Sequence, residues 1–243
     1  MTNQSIGNFG YLDKKKFATN ICSHFFNAFL AYSIVLLIIA TIGIAEPLQN
    51  LLYGNLFSIF ASLLIFFIIG WGIPQLINST DLDDTAKYIG FGFIIVLKAI
   101  YIAPLIVPLA SQYPDLLRNT FIGVIGIAGI VYNIADTGVK EGRDFDSLTT
   151  TFILGLRFLI FFGLASIIFG LSPSLLYVFI AIFVYSVGLL IMISEVMRAD
   201  AELLIFSKGD ELNASLTIFS LLENLLIAVI LLFLLLAAAS HKH

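Results

Sequence analysis

Apolar residues in this chain run in long blocks, without the short-period alternation of a soluble fold. A helix needs about 20 apolar residues to cross the hydrocarbon core of a bilayer. Seven blocks meet that length, near Phe25–Ala45, Leu52–Ile77, Tyr88–Ala110, Leu116–Ala135, Thr149–Leu171, Pro173–Met197 and Leu212–Ala239. No Pro/Ser-rich linker, low-complexity tract or soluble insertion separates them. The pattern predicts an all-α integral membrane protein built as a seven-transmembrane-helix bundle. It divides into a polar N-terminal segment over 1–20 and a single membrane domain over 21–243. The N-terminal segment lacks the apolar core and cleavage pattern of a signal peptide, so the first block is expected to remain as a helix. No internal repeat is visible, which argues against an inverted-repeat transporter.

Composition fixes the class. Hydrophobic residues make up 60% of the chain and charged residues 12%, about half the charged share of a soluble domain. The expected partner is therefore the lipid bilayer, and the expected location an integral, multi-pass one. The net charge of −4 and the lack of a basic stripe exclude nucleic acid as a partner. The single Cys22 excludes an internal disulfide. His24 lies near the first block and His241 and His243 at the end of the chain; no HxxxH or HExxH spacing suggests a transition metal. Neither a nucleophile with its base nor a cofactor motif is legible, so the sequence predicts no enzyme and no cofactor.

Lys and Arg in the loops set the orientation. Lys14, Lys15, Lys16, Lys87, Lys140, Arg143, Arg198 and Lys208 fall on one side, Arg118 and Lys242 on the other. The bias places the N-terminus in the cytoplasm and, with seven spans, the C-terminus outside.

Four charges stand within the apolar blocks: Lys98, Arg157, Glu195 and Glu223. An ionised group near a span centre costs about 2.5–3.5 kcal/mol on insertion scales. Such residues usually face a bundle interior or an aqueous cavity. Counted from the cytoplasmic ends, Lys98, Arg157 and Glu223 sit at depths of about 12–17 Å, and Glu195 close to the cytoplasmic end. Lys98 and Arg157 are expected to compensate the two acids. Pro104 and Pro108 each remove an N–H from the third span, predicting a kink just outward of Lys98. Gly123, Gly126 and Gly129 predict a close-packing face on the fourth span, with Gly163 and Gly170 doing likewise on the fifth.

From about Tyr88 onward the chain resembles the transmembrane Bax inhibitor motif family, seven-helix proteins linked to calcium leak. The likeness begins around Pro104, Ser111 and Tyr113. It continues with Arg143-Asp144-Phe145 before the fifth span and Ser172-Pro173-Ser174-Leu175 before the sixth. It is strongest over Phe183–Glu195, similar to the family's F-S-G-x-x-x-Y-D, and over Ser215–Leu225, similar to its L-S-L-Y-L-D-x-x-N-L-F. The two family aspartates fall on Glu195 and Glu223. Here both are Glu, Asn224 follows its acid directly, and the first two spans show no match. The resemblance implies a pH-sensitive cation leak channel, for Ca²⁺ or H⁺, closed by Glu195 and Glu223. Ca²⁺ would be held by the same two carboxylates, Glu195 and Glu223. The alternative is a non-catalytic integral subunit of a larger membrane complex with membrane-protein partners. For that reading, Glu195-Val-Met-Arg198-Ala-Asp200-Ala-Glu202 faintly resembles the acidic loop of quinone-site subunits in respiratory complexes and membrane hydrogenases.

Overall fold

The computed structural model describes residues 6–77, 83–143, 145, 147–169, 174–198 and 208–240. Its helices follow in the order α1 (Ile6–Ile42), α2 (Ala45–Tyr53), α3 (Leu56–Ile77), α4 (Asp84–Gln112), α5 (Pro114–Lys140), α6 (Ser147–Phe169), α7 (Leu175–Arg198) and α8 (Lys208–Ser240). No strand occurs among the described residues. Six segments there are long and apolar enough to cross a bilayer: Asn20–Ile42, Asp84–Gln112, Pro114–Lys140, Ser147–Ala165, Leu175–Met197 and Asp210–Leu236. They bear out a multi-pass helical membrane protein. Asp144, Gly170, Ser172, Pro173, Asp200, Glu202, Lys242, His241 and His243 lie outside the described residues.

Several boundaries differ from the sequence reading, most of them for a local reason. The segment expected to be a polar lead-in is helical from Ile6 and continuous with the first span. That span stops at Ile42, before the expected Ala45. Gly43 follows at φ 75°, a left-handed position that glycine takes without a Cβ penalty. Its N–H bonds back to the Ile39 carbonyl at 3.1 Å, closing the helix end.

The block Leu52–Ile77 is not one helix. α2 ends at Tyr53 and α3 begins at Leu56. The Asn55 carboxamide accepts from the Ser58 N–H at 2.8 Å, which starts a new helix. A Cβ at Gly54 would collide with the Asn50 carbonyl oxygen, so the break needs glycine. α4 begins at Asp84, four residues earlier than expected, because Asp83 caps it by accepting from the Ala86 N–H at 2.8 Å. Lys87, counted from sequence as a loop charge, is thereby inside the helix and buried at 7% exposure.

The chain divides into two compact units. One comprises Met1–Pro114 and Ala201–Phe219, the other Asp115–Asp200 and Ser220–His243. In the first, Ile39, Ala45 and Ala103 form a buried cluster under Val35, Leu48 and Val107. Tyr32 meets Phe219 edge-on at 5.2 Å between ring centres. Tyr53 donates to the Tyr101 carbonyl at 3.0 Å, and Tyr101 in turn to the Ser62 carbonyl, tying α4 to α2 and α3. α4 runs unbroken through Pro104 and Pro108.

In the second unit, Leu159 of α6, Ala181 and Val184 of α7 and Ala228 of α8 form the core cluster. Two glycines set its spacing. A Cβ on Gly155 would collide with Val184, and one on Gly188 with the Phe152 ring while sitting 3.0 Å from Leu221 Cδ2. These contacts fix the register. Gly155 opposes Val184 and Phe152 opposes Gly188, so α6 and α7 are antiparallel. Leu221 opposes Gly188 while Ala228 joins Ala181 and Val184, so α7 and this part of α8 are antiparallel too. The expected glycine face of α5 is only partly used: Gly123 faces Val229 at 3.8 Å, whereas Gly126 and Gly129 face open space. On α6, Gly163 faces the Tyr177 hydroxyl at 3.6 Å.

Candidate functional site

The densest buried polar cluster described lies in the first unit, and the sequence reading passed over it. It is built by α1, α4 and the first turn of α8. His24 and Glu211 are each 9% exposed. Asn20, one turn before His24 on α1, donates its amide to Glu211 Oε1 at 2.7 Å. His24 Nε2 lies 3.6 Å from Glu211 Oε2 and 3.4 Å from the Tyr88 hydroxyl. Ser215, fully buried, donates to the Glu211 carbonyl at 2.8 Å and lies 3.1 Å from the Ile21 carbonyl. The imidazole is held edge-on to Tyr88 at 5.4 Å and to Phe91 at 6.4 Å between ring centres.

One nitrogen thus faces two partners with opposite demands. Neutral Nε2 with a lone pair accepts from Tyr88; protonated Nε2 donates to the Glu211 carboxylate. Which of the two contacts the ring makes depends on whether Nε2 carries the hydrogen. Its signal in the sequence was weak. His24 stands alone at the edge of a span, and Glu211 falls one residue before the expected start of the last span at Leu212. The structure starts α8 at Lys208 and makes Asp210 and Glu211 its first-turn acids, where the helix dipole favours negative charge.

The four charges expected within the spans are placed as follows. Lys98 is buried on α4 at 7% exposure, and Glu223 is buried on α8 at 9%. Glu195 and Arg157 are exposed. The register of the second unit sets their levels. Glu195 lies seven residues beyond Gly188 on α7, and Glu223 two residues beyond Leu221 in the opposite direction. Nine residues at 1.5 Å each separate the two carboxylates by about 14 Å along the helix axes. The expected direct closing pair is therefore not what this register brings together. Arg157 lies level with Phe183 on α7, within about 5 Å in height of Glu223. It sits on the exposed side of α6 while Glu223 is buried, so the expected compensation of Glu223 by Arg157 is a match of depth without a match of face. Among the described residues no group of three or more His, Cys, Asp and Glu side chains is placed to hold a metal ion.

No protein-family model, curated protein or solved structure matches this chain.

Proposed function

We propose that this protein is a seven-span, pH-sensitive cation leak channel, with α3 as the seventh span and Ca²⁺ as the ion. One observation carries the reading: Glu223, a carboxylate 9% exposed near the middle of the 33-residue α8. Burying an ionised acid at that depth is costly, and a side chain kept there is a candidate for binding or relaying a cation. The resemblance of the segments around Glu195 and Glu223 to the Bax inhibitor motif family supports the same reading. The register changes the mechanism. Glu195 and Glu223 act as two stations along a path, one near the cytoplasmic end and one near mid-depth. They do not share a proton across one contact. Carboxylate oxygens are the ligands Ca²⁺ favours. A carboxylate loses its hold on a cation when it takes up a proton, which is the source of the pH sensitivity proposed for such a path.

The test is ion flux into liposomes holding the purified full chain, followed against pH. Glu223→Gln removes the titrating group while keeping shape, and is expected to lower flux and flatten its pH dependence. Glu195→Gln is expected to lower flux with the pH profile retained. An unchanged profile in Glu223→Gln removes the basis of this reading.

A further inference from the structure

The outward face of α6 carries an arginine where lipid would otherwise be. Arg157 is the eleventh of the 23 residues of α6, exposed, and makes no ion pair or side-chain hydrogen bond among the described residues. Its neighbours at helical spacing are apolar and exposed: Ile153 and Leu154 one turn before, Ile160, Phe161 and Leu164 after. Phe161 is 75% exposed. From either end of α6 the arginine lies about 15–18 Å along the axis. The half-thickness of a hydrocarbon core is about 15 Å. A guanidinium at that height does not reach the headgroups by extending its stem alone.

An exposed cation at mid-depth calls for an anion at mid-depth, and among the described residues a second copy does not supply one. Copies inserted the same way keep every residue at its own height. The register puts Glu195 twelve residues, or about 18 Å, from the level of Arg157. Glu223 is within about 5 Å of that level but buried in its own unit. The other acids described in the spans sit near their ends: Asp84 and Asp115 in first turns, Asp136 already paired with Lys140 at 2.6 Å, and Asp210 and Glu211 at the start of α8. α1 has no acid between Asn20 and Ile42.

We infer that the outer face of α6 is the docking surface for a different membrane protein, through a transmembrane helix that carries an Asp or Glu near its centre. Arg157 meets that carboxylate in a planar, two-bond geometry, and the flanking Ile160 and Phe161 pack on the partner helix. The inference does not rest on ion passage and stands or falls separately from it.

The experiment places a photo-crosslinking side chain at Phe161 in the full chain, in the membranes of the cells that make it. The expected adduct is to a protein with an acid near the middle of a membrane helix. Arg157→Leu is expected to cut the adduct about tenfold, the size of one interhelical polar contact. Arg157→Lys should retain most of it. Arg157→Glu should lose it, and Lys in place of the partner's acid should restore it. Unchanged thermal unfolding of purified Arg157→Leu separates loss of docking from loss of fold. Adducts to lipid alone, to a second copy of this chain, or to a protein without a mid-span acid overturn the inference. So does an adduct yield that ignores the charge at position 157.

Discussion

The most direct check of the second unit is to add one methyl group at Gly155. A Cβ there collides with one methyl of Val184 and lies 3.3 Å and 3.4 Å from its other two side-chain carbons. Val184 is buried at 3% exposure and, being β-branched, has little freedom at χ1. Rotation would only bring its second methyl into the same space, so the helices must part. Overpacking of this kind costs about 1–3 kcal/mol. Ala is better than Gly in a helix by about 1 kcal/mol, so the net loss for Gly155→Ala is about 0–2 kcal/mol. Gly126→Ala on α5 removes the ambiguity: it carries the same propensity gain and faces nothing within 4 Å. The difference between the two variants is the packing term alone, about 1–3 kcal/mol. Equilibrium unfolding in mixed micelles reads both. Val184→Ala in the Gly155→Ala background returns the missing volume, and a double-mutant cycle should give a favourable coupling of at least about 0.5 kcal/mol. Equal stabilities for Gly155→Ala and Gly126→Ala, or zero coupling, would refute the α6–α7 register. The heights assigned to Arg157 and Glu195 would fall with it.

Three further outcomes follow from contacts elsewhere. Glu211→Leu leaves Asn20 and His24 facing an apolar group and should destabilise by about 1–3 kcal/mol, whereas Glu211→Gln keeps an acceptor for Asn20 and should lose less; thermal unfolding in detergent ranks the two. Asp83→Ala removes the α4 cap at an exposed position and should cost about 1 kcal/mol, seen as faster amide exchange in the first turn of α4 than elsewhere in that helix. Gly54→Ala forces a Cβ onto the Asn50 carbonyl and should destabilise by about 1–3 kcal/mol, while Gly129→Ala, facing open space, should not.

Most of the helices were legible because the apolar blocks are as long as a bilayer is thick. Composition alone gave the class, and each block contains a helix. What the blocks hid was backbone punctuation inside them. The break at Gly54–Asn55 depends on one carboxamide reaching one N–H, and hydropathy is blind to that. The early start of α8 depends on acids that a hydropathy scan counts as loop. Charges within spans were found, but a count along each helix gives height and not direction. Hence the count puts Arg157 and Glu223 at similar height, while only burial shows that Arg157 is exposed and Glu223 is not. The His24 cluster needed three helices brought together, and no local spacing in the sequence announces that.

The arginine on α6 also bears on how the chain is made. A helix with a cation at its middle partitions into lipid less readily than its neighbours, by about 2.5–3.5 kcal/mol on insertion scales. Lys98 and Glu223 carry a similar cost but are buried in the fold, whereas the exposed Arg157 leaves α6 open to membrane quality control until something covers it. Yield in overproducing cells, compared between the parent and Arg157→Leu, is the first place where that residue leaves a trace, before any activity is measured.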